Sequence, residues 1–452
     1  MTAFLISVDD LNVSFSYPFS GTQAILMSGV TISNTSTFVM KLSGVSGGFV
    51  SDGTILALFN GAGLQMTNSF EYMTFGSSSI YRSDAAVGSP SILSSGGQSS
   101  VTNHGLISAT QAVALAMTNG GNAIYNDGTI DGGSGGLFLG INGGVGDRLV
   151  NDGTILAGNA QLPAFDARFN HAVQIEGDGS SLINHGTLSA IAAFGAGVNI
   201  GSISFTGAGS RVENYGAITS ALWWGVDMAT LVNGGATLFN HGLITGGTGG
   251  VRGGIFADAV TNSGTVQGRI DLGAGNDLYD GRGGMVFGQI TGGLGNDTMI
   301  GGAQDDSLFG DLGNEVMRGG FGDDAINGSN GLDTISGGAG DDTITGGFNR
   351  DVITGGAGAD TFVFVNSAEI GNSVATSDVI RDFTSTVDVL DFALLPGTLI
   401  YIGSAVFSNV VGQLRFTSAT GLLQGDTNGD SVADFTLALA PGTVLAVGDL
   451  VL

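Results

Sequence analysis

The sequence predicts an all-β chain made of a right-handed parallel β-helix, a parallel β-roll and a C-terminal β cap. Three observations lead there. A nine-residue repeat runs without a slip from Gly292 to Val363. A looser Asn-x-Gly-x-apolar repeat fills the residues before it. Finally, 82 glycines against 5 prolines in 452 residues suit repetitive β structure with many tight turns.

Eight nonapeptides open at Gly292, Gly301, Gly310, Gly319, Gly328, Gly337, Gly346 and Gly355. Position six is Asp297, Asp306, Glu315, Asp324, Asp333, Asp342, Asp351 and Asp360, and position eight is always apolar, from Met299 to Phe362. Six Gly-rich residues make a turn, and three residues with a central apolar side chain make a short strand whose middle residue points inward. Two nonapeptides then form one flat coil. Stacked coils bring Asp306, Asp324, Asp342 and Asp360 to one edge and Asp297, Glu315, Asp333 and Asp351 to the other. Such rows repel unless a hard cation, accepting six or more oxygens from carboxylates and turn carbonyls, lies between them. Asp305, Asp323 and Asp341 at position five join the candidate metal ligands. Upstream, Gly283 to Thr291 has Gly288 in place of the acid, and Leu272 to Asp280 carries Asp277 two residues out of phase, so neither end repeat completes the pattern. A disordered Gly-Asp linker would have no reason to keep an apolar residue at every ninth position.

The Gly-Gly-x-Gly-x-Asp-x-apolar-x pattern resembles the RTX (haemolysin-type calcium-binding) repeat, and the segment resembles an RTX β-roll. The resemblance implies several bound Ca2+ ions.

The preceding residues, 1 to 269, carry the second repeat at Asn103-His-Gly-Leu-Ile107, Asn126-Asp-Gly-Thr-Ile130, Asn151-Asp-Gly-Thr-Ile155, Asn184-His-Gly-Thr-Leu188, Asn214-Tyr-Gly-Ala-Ile218, Asn240-His-Gly-Leu-Ile244 and Asn262-Ser-Gly-Thr-Val266. Ser51 to Ile55 and Met27 to Ile32 look like weaker copies. Spacings of about 20–30 residues predict a solenoid of roughly ten coils. Asn suits a left-handed turn and can stack on the Asn of the next coil, and Gly allows the corner. Residues 1 to 25 are expected to cap the open end. A β-sandwich, the alternative, would show hairpin signals at shorter spacing.

Residues 270 to 363 form the roll, and 364 to 452 a compact end domain. Asp378 to Phe383 and Val387 to Phe392 alternate like strands that close the roll. This region resembles the C-terminal part of serralysin-type secreted proteins without their protease domain. Asp426, Asn428, Asp430 and Asp434 surround a Gly turn like half an EF-hand loop, a further candidate calcium site without the distal Glu. The ending Gly448-Asp-Leu-Val-Leu452 is similar to the uncleaved signals read by a type I secretion apparatus, and Met1 to Asp10 lacks the basic start of a cleaved signal.

Charge narrows the function classes. The formal net charge is −27, and from Asp271 onward 24 acidic residues face 5 basic ones. Such a surface repels nucleic acid and attracts divalent cations. No run of eighteen apolar residues exists, so no transmembrane span is expected. Zero cysteines exclude disulfides and thiolate metal sites. His-Glu-x-x-His and a P-loop are both missing. Of the four histidines, His104, His185 and His241 fill the x position of the Asn-x-Gly turn. Asp166, Arg168 and His171, with Glu176, Asp178, Trp223 and Trp224, are the weak catalytic candidates, arranged as an acidic-polysaccharide lyase or epimerase would need, although no epimerase-like Asp-Pro-His occurs. The reading that results is a secreted, extracellular, calcium-binding solenoid with a structural or adhesive role towards cell-surface or matrix polysaccharide. The alternative is the polysaccharide lyase or epimerase.

Overall fold

The computed structural model describes residues 234–452 throughout and, upstream, 98–109, 113–132, 135–141, 145–157, 172–175, 178–190, 203–205, 208–221 and 223–229, with shorter segments between 3 and 94. The candidates Asp166, Arg168, His171 and Glu176 lie outside the described residues. The chain is a parallel β-solenoid that divides into two compact units. The first comprises Met1–Ile255 and Gly264–Gly268, the second Phe256–Ser263 and Arg269–Leu452.

In the first unit each coil gives one strand to each of three parallel sheets. The motif Asn-x-Gly joins two of them: Ala123–Asn126 ends in the Asn, and Thr129–Gly132 begins after the Gly. Both strands stack in register on Arg148–Asn151 and Thr154–Ala157 of the next coil. Along these two sheets alternate residues are buried, so Ile107, Ile130, Ile155, Leu188, Ile218, Ile244 and Val266 line one wall of the core. Ten strands of this second sheet, from Thr31–Asn34 to Thr265–Gln267, fall among the described residues.

The repeated Asn acts differently from the expected turn residue. None of Asn103, Asn126, Asn151, Asn184, Asn214 or Asn240 has positive φ. Each is fully buried, and its Nδ2 donates to the Oδ1 of the next, at 2.7, 2.7, 2.8, 2.8 and 2.8 Å. Nor does the glycine of the motif need positive φ. A Cβ on Gly153 would collide with the Gly128 carbonyl, and one on Gly186 with that of Gly153, so glycine lets neighbouring coils touch.

The N-terminal cap expectation is also corrected. Ala3–Ile6 pairs in parallel with Gln23–Leu26, and Phe15–Tyr17 with Met40–Leu42, so these residues already form rungs of the solenoid. The coil between the Ser51 and Asn103 repeats carries no Asn-x-Gly signal. Tyr72–Phe75 and Ile80–Ser83 align with the Asn103 coil, with Phe75 opposite Asn103 and Tyr81 opposite Ile107. Both rings are buried and meet edge to face at 6.4 Å, replacing the amide ladder with aromatic packing.

In the second unit two nonapeptides make one coil. Leu308 pairs with Ile326 and Ile326 with Ile344, while Met317 pairs with Ile335 and Ile335 with Ile353. All eight position-eight side chains are at most 2% exposed. The roll continues into the C-terminal residues: Val379–Ile380 pairs with Val352–Ala357, and Val389–Asp391 with Thr361–Val363. An antiparallel meander, Gln413–Thr417, Leu422–Asp426 and Phe435–Ala438, returns to pair Ala438 with Val379. Leu450–Val451 joins Val389–Asp391 in parallel. No helix among the described residues is long and apolar enough to cross a membrane.

Breaking the amide column strands a buried donor on one side and an acceptor on the other. Asn151→Ala is therefore expected to cost about 1–3 kcal/mol in urea unfolding of the full chain at saturating calcium, whereas Asp152→Ala, on the exposed neighbour, should change stability by less than about 1 kcal/mol.

Candidate metal centre

Every nonapeptide folds its position-six acid inward beneath its own first glycine. Asp297, Glu315, Asp324, Asp333, Asp342, Asp351 and Asp360 are at most 1% exposed, and Asp306 is 8% exposed. One carboxylate oxygen accepts the backbone N–H of the position-six residue one coil earlier: Asp306 to Asp324 at 2.7 Å, Asp324 to Asp342 at 2.9 Å, Asp342 to Asp360 at 3.0 Å. On the other edge Glu315 donates to Asp333 and Asp333 to Asp351, both at 2.8 Å. The two predicted rows are thus real columns of stacked carboxylates. They lie beneath the turns and out of solvent.

The second oxygen is left over. Oδ2 of Asp297, Asp324, Asp333, Asp342, Asp351 and Asp360, and both Oε atoms of Glu315, are buried without a hydrogen-bond partner. A buried, unpaired carboxylate is among the costliest groups a fold can hold. Burial, the main cause, pushes Asp360 up to about 6 and Asp324 and Asp351 up to about 7 from an ordinary 3.8, with neighbouring acids adding to it. Glu315 is raised strongly by burial and then by Asp333.

What the leftover oxygens face decides whether a cation fits. The space that a Cβ on Gly292 would occupy lies 2.5 Å from Asp297 Oδ2 and 2.9 Å from the Gly310 carbonyl oxygen. Gly301, Gly310, Gly319, Gly328 and Gly337 repeat this arrangement, each with its own position-six oxygen and the carbonyl of the glycine eighteen residues on. Glycine at position one therefore keeps open a cradle where carboxylate and carbonyl oxygens converge. That donor set suits a hard, oxygen-seeking divalent ion such as Ca2+. No three His, Asp or Glu side chains gather as a cluster among the described residues, which accords with carboxylates contributed coil by coil and completed by carbonyls.

The columns run beyond the nonapeptides. Asp277, two residues out of phase in the sequence, accepts the Asp258 N–H at 2.6 Å and gives its own to Asp297 at 2.8 Å; the turn before Asp297 is longer, at 20 residues instead of 18. Its Oδ2 is also unpaired and burial raises it to about 7. At the other end Asp378 and Asp388 accept from Asp351 and Asp360, across 27 and 28 residues. No fixed period in the sequence could have shown these three.

The position-five acids Asp305, Asp323 and Asp341 are exposed and form a second, outer ladder. The loop at 426–434 differs. Asp426 accepts from Gly429 and Ser431 N–H groups, Asn428 from Asp430, Asp430 from Val432, and Asp434 from Thr427 and the Asn428 amide. These side chains close the loop on itself, and no buried oxygen there is left without a partner.

Elsewhere, Trp224 is 2% exposed and Trp223 donates its indole N–H to buried Asp227 at 3.2 Å. His104 pairs with Asp127 at 2.7 Å and His185 with Asp152 at 2.6 Å, while Tyr215 stacks on His241 at 4.7 Å. The x positions of the turn thus form an exposed ladder of their own.

Residues 291–326 and 327–362 match the family model of the RTX calcium-binding nonapeptide repeat (4 copies). No curated protein matches the chain. The chain carries RTX repeats in a calcium-binding β-solenoid.

A carboxyl raised by folding stabilises the fold only while protonated, so its contribution is full below about pH 4 and is lost as pH rises through 6 to 7. In chelator, the roll should be more stable near pH 4.5 than near pH 8. Circular dichroism reads the effect; stability that rises with pH in chelator would contradict it.

Proposed function

We propose that this is an extracellular protein whose roll folds on calcium after export, and whose solenoid has a structural or adhesive role at cell-surface or matrix polysaccharide. The observation that carries the reading is the columns of buried carboxylates, all but Asp306 with at least one unsatisfied oxygen. One apolar side chain per nine residues cannot by itself offset the ordering of nine residues and the burial of a charge. Sites of the extracellular type bind calcium at about 10⁻⁴–10⁻³ M, so they are empty in the cytosol and filled outside. Position-six residues Asp297 to Asp360 would hold the ions together with turn carbonyls.

Type I export fits the same physics. Asp449 accepts from Ser385 Oγ, Thr386 N–H and Ala446 N–H and is buried in the folded chain. A C-terminal signal containing Asp449 would therefore be readable only before folding, the state that low calcium maintains.

For the solenoid, a structural role is favoured by surfaces built for stacking. Thr129, Thr154 and Thr187 align along one sheet, and residues 1 to 270 carry 15 acids against 7 bases. The lyase or epimerase alternative gains no support from the described residues, where Trp224 is buried and Trp223 is tied to Asp227.

Two outcomes are expected. Replacing Asp324 and Asp342 by Ala should raise the calcium concentration at which the full chain gains its β signal, whereas Asp127→Ala should leave that midpoint in place; roll structure that persists in chelator at neutral pH would contradict the reading. Deleting residues 393–452 should leave the protein inside the producing cell, and normal release of the truncated chain would show that the route is wrong.

A further inference from the structure

The two edges of the roll share a backbone but not a charge pattern. On one edge position five is Asp305, Asp323 and Asp341, ending at Ala359. Each carboxylate accepts the N–H of the position-five residue one coil later, at 2.9, 2.8 and 2.7 Å, which holds it beside the buried column. On the other edge neutral amides do the same work: Asn276 accepts from Asn296, Asn296 from Asn314, and Asn314 from Leu332, at 2.9, 2.8 and 2.8 Å. That amide ladder ends at Leu332, and position five of the next coil is the exposed Arg350. Since an amide supports the turn equally well, the three carboxylates add negative charge that the ladder itself does not require.

The buried columns differ too. From Asp306 through Asp324, Asp342 and Asp360 to Asp388, each acid accepts the N–H of the one before it without a break. On the other edge the column is interrupted at Glu315, whose oxygens accept no backbone N–H and whose carboxyl instead faces that of Asp333. Asp311 adds one acid near Asp297, and Arg350 puts a cation next to Asp351. Asp305 acts on Asp306 and Asp324, and Asp323 and Asp341 on Asp342, so the extra charges are felt within the column.

We propose that the edges are two classes of calcium site: a tighter row along Asp306, Asp324, Asp342 and Asp360, and a weaker row along Asp297, Glu315, Asp333 and Asp351, set apart by position five and by Glu315. The inference rests on the reading of the roll as a calcium-binding element. Ligand charge and site rigidity are the two quantities that tune calcium affinity at oxygen sites, and both favour the first row. By Coulomb's law a carboxylate roughly 6–12 Å from a divalent ion in water-like surroundings changes its affinity about three- to tenfold. The rows therefore fill in order as calcium rises, and one edge of the roll closes before the other.

The test is a calcium titration of the full chain by isothermal titration calorimetry, with flow dialysis to count ions. The native protein should show two classes. In Asp323→Asn with Asp341→Asn, which keeps the outer ladder as Asn276, Asn296 and Asn314 do, the tight class should weaken about three- to tenfold or more while the weak class stays. Arg350→Asn should tighten the weak class alone, by about the same factor for one charge. A single class of equal sites, or two classes that neither variant shifts, would overturn the inference while leaving calcium binding intact. A native chain that takes up no calcium would overturn the calcium reading of the roll and this inference with it.

Discussion

Like charges stacked one coil apart in the interior are the constraint on which the rest of the second unit depends. A carboxylate can only accept hydrogen bonds. Six of the eight position-six acids, all but Asp306 and Glu315, satisfy one oxygen with a backbone N–H from the coil before and have nothing for the other. From that follow the glycine at position one, which leaves space beside the unsatisfied oxygen, and the convergence of the next coil's carbonyl on the same space. Closing the roll is inseparable from supplying positive charge there. Burial, with the neighbouring acids, displaces these carboxyls upward, so without that charge protons can partly take its part.

The first unit solves the same stacking problem with a different side chain. An amide both donates and accepts, so the column from Asn103 to Asn240 satisfies itself coil by coil. Its turns before the first sheet carry mostly uncharged groups as well. Ser99 N–H donates to Asn122 Oδ1, and Asp147 N–H to Ser180 Oγ. Asp147 is the exception, with an unpaired buried oxygen and a pKa raised by burial. The two units thus hold a column of amides that satisfies itself and a pair of carboxylate columns that cannot.

The parts legible in sequence were those with a strict period. The nonapeptide gave the coil length, the inward side chains from Met299 to Phe362 and the membership of both acidic rows, because two repeats per coil leave no freedom in register. Legibility failed where contact in space lost its fixed spacing. Asp277, Asp378 and Asp388 belong to the columns by hydrogen bonding across 20, 27 and 28 residues. The Phe75 and Tyr81 coil was hidden because aromatic packing replaced the Asn signal. The Asn repeat announces stacking in the sequence but not its backbone conformation, since a buried amide column needs strand geometry. The loop at 426–434 has an ion-binding spacing in sequence, yet its oxygens are spent on its own backbone.

The most direct measurement is hydrogen–deuterium exchange of the full chain at neutral pH, with calcium and with excess chelator. The amides of Asp306, Asp324, Asp333 and Asp342, which donate into the carboxylate columns, should be protected with calcium and exchange rapidly without it. Protection of those four amides that is the same in chelator as in calcium would contradict the claim that the buried carboxylates make folding of the roll depend on the ion.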